Sequence, residues 1–240
     1  MRSSSKRASR SVAPTLSLLV AAVLAACSAT AAGRSKIAGP VPAPTVDAVS
    51  AANTGTETAI LSGGCFWGVQ GVFEHVRGVQ KVVAGYAGGG NDTANYETVS
   101  TGLTRHAESV EITFDPRQIS YGEILRIFFS VATDPTQVDQ QYPDQGPQYR
   151  SEIFFTTADQ QRVAHSYIHQ LDSAGVFGRA IATRVDPATG FYPAEGYHQD
   201  FLVRHPDHPY IVAWDLPKVA ALAREFPTQY RAQPVMVGGG

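Results

Sequence analysis

The chain has 240 residues, 43 % of them hydrophobic and 17 % charged, with a formal net charge of −2. That is enough apolar material for one sizeable core and too little charge for a disordered chain. The near-neutral balance gives no general attraction for nucleic acid or an anionic surface. Two cysteines, Cys27 and Cys65, exclude a disulfide framework and a multi-cysteine zinc site.

The first segment is a targeting signal rather than part of a fold. Arg2, Lys6, Arg7 and Arg10 precede an apolar run over residues 16–26, too short for a membrane span. The run ends Leu24-Ala25-Ala26-Cys27, which resembles the bacterial lipoprotein signal. On that reading residues 1–26 are removed and Cys27 becomes a lipid anchor. The other reading is an ordinary secretory signal cut near Ala32. Both take Cys27 out of the mature chemistry. The lipoprotein reading places the protein outside the cytoplasm, in the periplasm on a membrane, with Ser28 favouring the outer one. Residues 27–56 are rich in small residues and proline without apolar periodicity, so a flexible tether is expected.

A folded domain is expected over residues 57–232. Residues 58–61 read as a short buried strand, and Ser62-Gly63-Gly64 as a turn. Residues 65–76 carry Phe66, Val69, Val72, Phe73 and Val76 at helical spacing. A strand is expected over 80–86, then a glycine-rich loop over 87–95. Val110, Ile112 and Phe114 alternate with polar neighbours, as in a half-buried strand. Ser120 and Glu123 form a capping box for a helix over 121–131. Further expectations are strands over 151–155 and 180–185 and helices over 158–174, 198–204 and 218–226. The tail 233–240 ends in three glycines and reads as loose. This order predicts an α+β fold, a two-layer sandwich of helices on a mixed sheet with a ferredoxin-like core.

Cys65 carries the chemical signal. It follows two glycines at the start of a predicted helix, where free N–H groups and the helix dipole favour a thiolate. Gly64 allows a ligand to approach the backbone, and Phe66 and Trp67 put two aromatic faces beside the sulfur.

Gly63-Gly64-Cys65-Phe66-Trp67-Gly68 resembles the active-site hexad of the A-type peptide methionine sulfoxide reductases. Gly85-Tyr86-Ala87-Gly88-Gly89, Tyr96-Glu97-Thr98-Val99, Gly102 and His106-Ala107-Glu108 follow in that family's order. So do Asp134-Pro135, Asp144-Gln145-Gly146, Gln148-Tyr149-Arg150-Ser151, Phe191-Tyr192, Ala194-Glu195 and Tyr197-His198-Gln199. The resemblance spans about residues 58–210, and an ordered set of this length is a specific signal.

The resemblance implies reduction of free and peptide-bound methionine S-sulfoxide, repairing oxidised proteins through a cysteine sulfenic acid. It implies that Cys65 is the nucleophile and Glu108 the proton donor, with a carboxyl raised by an apolar site. Tyr96 and Tyr149 would hydrogen-bond the departing oxygen. Phe66, Trp67 and Gly64 would bind the substrate, and Asp144 would orient the site. Family members often carry further cysteines near the C-terminus, and this chain has none after Cys65. The expected cycle therefore uses one cysteine, no bound cofactor and no metal. An external thiol, either thioredoxin or a small thiol such as glutathione, would regenerate it. No nucleic-acid partner is expected, and a monomer suffices.

Two other classes compete. Cys65 with His198 would suit a thiol hydrolase or acyltransferase, and a surface-anchored binding protein would keep the fold without turnover. His205-Pro206-Asp207-His208 has a metal-like look without supporting cysteine ligands.

Overall fold

The computed structural model describes Met1, residues 39–48 and residues 55–237. The expected signal segment 1–26 and Cys27 lie outside the described residues, apart from Met1. The described elements begin with β1 (Glu57–Gly63), α1 (Phe66–Glu74), β2 (Val79–Ala87), α2 (Tyr96–Val99), β3 (Ala107–Phe114) and α3 (Tyr121–Ile127). A small hairpin, β4 (Gln140–Gln141) and β5 (Asp144–Gln145), leads to β6 (Ser151–Phe155) and α4 (Ala158–Ser173). β7 (Arg184–Pro187), β8 (Phe191–Pro193), α5 (Phe201–Arg204) and α6 (Leu216–Glu225) complete the order.

Six strands form one sheet in the order β7-β6-β1-β3-β2-β8. Every pairing is antiparallel except β6 with β7, so the sheet is mixed as expected. β3 lies between β1 and β2, and β1 lies between β3 and β6. The helical connections through α1 and through α3 therefore each skip one strand, whereas α4 joins the neighbouring strands β6 and β7. Alternation along β3 turns Val110, Ile112 and Phe114 into the main core with α1, α3, α4 and α6. The opposite sheet face buries a smaller set, Ile60, Ala87, Ala107 and Phe154.

Local chemistry explains the helix starts. The Ser120 side chain accepts the Glu123 N–H, one half of the expected capping box. Glu123 does not reach back; its carboxylate pairs with Arg126 and takes a bond from Gln229. After Ile127 the chain widens into a π-turn, Phe128–Ala132, closed by Thr133 N–H on the Phe128 carbonyl.

Several expectations need correction. The strand expected over 180–185 is displaced: β7 begins at Arg184. Before it, Ile181 and Ala182 spend their N–H groups on Asp172 and the Pro135 carbonyl instead of a neighbouring strand. The helix expected over 198–204 is only α5, because Asp200 takes a left-handed φ of 56°. β8 and α2 were not anticipated.

The expected flexible tether is partly fixed. Val41 is fully buried, its N–H bonds Ser130 and its carbonyl accepts Arg126. Tyr167 donates to the Pro42 carbonyl. Asp47 takes the Gly122 N–H at 2.8 Å and the Ser120 hydroxyl, completing the cap of α3 from outside. The tail expected to be loose is also fixed as far as residue 237. The last carbonyls of a helix lack intrahelical partners. At α1 they are met by Val235 N–H on Glu74 and Arg231 N–H on His75.

Candidate active site

The turn after β1 delivers the sulfur. Gly64 has a φ of +95°, and a Cβ there would lie 2.6 Å from Cβ of Gln141, so only glycine fits. Cys65 follows as the N-cap of α1 and is 9 % exposed. The Phe66 N–H donates to Glu108 Oε2 at 3.0 Å, and the Trp67 N–H favours charge on the Cys65 sulfur. Positions 65 and 108 thus flank a single peptide group.

The expected thiolate is opposed by the surroundings of the sulfur. Burial pushes the Cys65 thiol well above its ordinary value, and the carboxylates of Glu108, Asp215 and Asp144 push the same way. The Trp67 N–H is the only opposing influence of note. A helix start offers about half a unit of positive charge, and desolvation with three acids outweighs it.

Glu108 sits on β3 two residues before Val110, so alternation turns it into the helix-facing layer rather than to solvent. It is 2 % exposed. Burial raises its carboxyl to about 8; the Phe66 N–H opposes, while Asp144 and Asp215 add to the rise. At neutral pH the carboxyl is therefore held toward its protonated form.

Tyr96 and Tyr149 approach from two short elements. Asn95 caps α2, and Tyr96, its first residue, donates its N–H to Glu195 at 2.9 Å. Tyr149 ends a 3₁₀ turn, Pro147–Tyr149. Both phenols are raised, first by burial, then by the charge of Glu108, with Cys65 and Asp144 also felt. Asp144 stands on the β4–β5 hairpin that also holds Gln141 against Gly64. Its carboxyl is raised by burial and accepts the Tyr210 hydroxyl in a short hydrogen bond.

Two aromatic side chains border this cluster. Phe66 is 1 % exposed, and its ring lies 5.0 Å from His198 and 5.9 Å from Tyr86. Trp67 stacks on Phe201 at 3.7 Å and donates its indole N–H to His198 Nδ1 at 3.1 Å. His198 is thereby committed to the wall. Its other nitrogen is buried without a hydrogen-bonding partner among the described residues, and burial lowers its pKa. A Cys–His hydrolase needs that imidazole bonded to the thiol, so the arrangement does not favour it. His205 and His208 pack on Phe201, and His208 also meets the Trp67 ring edge-on.

Sequence reading missed three parts of the site. Tyr210 carries Asp144, and Asp215 with Lys218 lies against the first turn of α1. Glu195, quoted only as part of a motif, braces two elements. It accepts the Tyr96 N–H and the Tyr86 hydroxyl. Burial works against its charge, yet these donors, its own N–H and nearby His198 hold it below the ordinary carboxylate range.

Comparison with known proteins identifies the family. The family model described as peptide methionine sulfoxide reductase matches residues 57–230. The peptide methionine sulfoxide reductase MsrA 2 of Mesorhizobium japonicum is 57 % identical over 183 residues, 76 % of this chain and 94 % of the relative. Its namesake from Synechocystis is 54 % identical over 195 residues, 80 % of this chain and 91 % of the relative. Among solved structures, methionine sulfoxide reductase A of Corynebacterium diphtheriae aligns with a TM-score of 0.55 at 33 % identity, covering 71 % of this chain and 88 % of that one. Reduced Mxr1 from Saccharomyces cerevisiae aligns at 0.58 and 29 % identity, covering 64 % and 87 %. With its thiol, its protonated carboxyl and a match across nearly the whole folded domain, the chain belongs to the peptide methionine sulfoxide reductase family.

Proposed function

We propose that this protein reduces methionine S-sulfoxide, free or within peptides, with Cys65 as its only redox-active residue. The observation that carries the reading is the pairing of a buried thiol and a neutral buried carboxyl about one peptide group. The Cys65 sulfur attacks the electrophilic sulfoxide sulfur while Glu108 donates toward the departing oxygen. The substrate S–O bond breaks and a new S–O bond forms on Cys65. The thiol proton replaces the one Glu108 gave, so methionine and a cysteine sulfenic acid are the balanced products. Tyr96 and Tyr149 donate hydrogen bonds to the oxygen as charge develops. Phe66 and Trp67 exclude water and receive the methyl group. Asp144, fixed by Tyr210, orients the polar side.

An external thiol then attacks the sulfenic sulfur and releases water, and a second thiol frees Cys65 from the mixed disulfide. A thioredoxin-type dithiol supplies both equivalents, and two molecules of a small thiol such as glutathione do the same. The basic start, apolar run and Cys27 support a lipid anchor outside the cytoplasm. Mass spectrometry of the mature N-terminus tests it; an unmodified start downstream of Cys27 overturns it.

The decisive measurement is methionine formed from each sulfoxide epimer with dithiothreitol. Product from the S epimer alone is expected, and no product from either rejects the reading. A hydrolase acting through Cys65 and His198 would instead turn over an ester without added reductant.

A further inference from the structure

The strongest unassigned feature is a buried carboxylate at the start of α1. Asp215 lies between a π-turn, Ile211–Asp215, and α6, at the N-cap position of α6. An aspartate there ordinarily accepts an N–H from the next turn. This one makes no such cap, and Pro217 in that turn has no N–H to offer. The carboxylate turns instead toward the first turn of α1. A Cβ on Gly68 would lie 2.1 Å from Asp215 Oδ1 and 2.8 Å from Lys218 Nζ. Glycine at position 68 is what lets the pair close on the helix start. Asp215 is fully buried; Oδ1 accepts Lys218 Nζ at 3.1 Å, and Oδ2 has no hydrogen-bonding partner among the described residues.

A buried carboxylate oxygen without a donor is costly and calls for an explanation. Capping of α6 does not supply one. We infer that Asp215, anchored by Lys218 and admitted by Gly68 at the positive end of α1, is a positioning residue that holds the Cys65 sulfur back from its reactive form. The inference rests on Cys65 being the nucleophile of the proposed reaction.

Three acids compete for the positive end of α1. Glu108 takes the Phe66 N–H, the Cys65 sulfur feels the Trp67 N–H, and Asp215 lies over Gly68. One helix terminus compensates roughly half a charge, so charge on one acid disfavours charge on the others. Other groups also face the sulfur. Glu108 on β3 and Asp144 on β5 are acids, and Tyr96, Tyr149 and Tyr210 are phenols raised by burial and the site's charges. His198 is held toward its neutral form. Lys218 is the cation bonded to this cluster, and it is bonded to Asp215. Asp215 is the acid whose removal both deletes a negative charge and releases that cation. A sulfur kept as thiol is a poor target for stray oxidants, and it retains the proton that sulfoxide reduction consumes.

The test is the pH dependence of iodoacetamide alkylation, read by mass spectrometry on the Cys65 peptide of the full chain. With Asp215→Asn the alkylation midpoint should fall by about one pH unit, the lower end of the effect of a neighbouring like charge. Below the midpoint, alkylation should be roughly tenfold faster at fixed pH. Asp215→Ser, which removes the charge with a smaller side chain, should shift it in the same direction. Midpoints equal to wild type in folded variants overturn the inference. Alkylation does not depend on turnover, so a chain that alkylates as described but reduces no sulfoxide would sink the proposed function and leave this inference standing.

Discussion

Helix α1 ends in two different ways. At its start, Cys65, Glu108 and Asp215 crowd against free N–H groups, and the cluster is lined by phenols. At its end, Glu74 and Asp200 are both fully buried, and the tail crosses them with Val235 N–H on the Glu74 carbonyl and Val237 N–H on the Asp200 carboxylate. Burial and the charge of Asp200 raise the Glu74 carboxyl to about 9, much as Glu108 is raised to about 8. The same physics thus gives a raised carboxyl beside a thiol at one end and a raised carboxyl beneath the tail at the other. The difference lies in the neighbour: a thiol ringed by phenols at the start, a strapped-down chain segment at the end.

That contrast is open to direct attack. The largest effect should come from Cys65→Ser, which removes the nucleophile and should abolish methionine formation while thermal unfolding stays near wild type. Near-normal turnover would show that another group does the chemistry. Next, Glu108→Gln should slow turnover by roughly 10²–10⁴-fold. In the wild type kcat/KM should decline as pH rises through about 8, where Glu108 loses its proton. A flat profile there would assign protonation to the tyrosines or to water. Tyr96→Phe and Tyr149→Phe should each cost roughly 10–100-fold in kcat, a share of what one oxyanion donor is worth; unchanged kcat would remove them from the oxygen.

The other end should respond in stability and not in rate. Glu74 has a carboxyl raised from 4.5 to about 9. The folded state prefers it neutral, so its contribution is intact below about 4.5 and lost as pH climbs toward 9. Glu74→Gln should therefore match wild type in acid and melt higher in mild alkali, by at least about 2–4 °C. An alkaline melting point no higher than wild type would mean the carboxyl finds a compensating partner. The smallest effect is expected at Asp47→Ala, where loss of the external cap on α3 should cost about 1 kcal/mol without altering turnover.

The two ends were not equally legible in the sequence. Position 108 shares its parity with Val110, Ile112 and Phe114, so the strand period itself turns Glu108 inward. The two glycines and the helical spacing after Cys65 marked it as a candidate, and the family resemblance supplied the role of nucleophile. Asp215 and Tyr210 left no such trace. Tyr210 precedes and Asp215 ends a π-turn without a periodic apolar stripe, and both lie more than a hundred residues from Cys65 in the chain. Their importance comes from close approach at Gly68 and from the β4–β5 hairpin, which only the tertiary structure supplies. The thiolate expectation failed for a related reason. A helix start is visible in a sequence, whereas the desolvation that overrides it is not. The tail and residues 39–48 read as loose because neither has a period. Their attachment depends on single backbone groups meeting open helix ends and on one buried valine.

Pinning residues 39–48 to α3 and α4 changes how far the enzyme can roam. A free leash from position 27 to position 56 would reach about 100 Å when fully drawn out. With Val41 seated and Asp47 locked onto the Gly122 N–H, the span left between Cys27 and the first described residue of that segment is twelve residues, about 40 Å at most. On a chain held by a lipid at Cys27, as proposed, that would keep residue 39 within about 40 Å of the anchor, a short leash that favours clients close to the same surface.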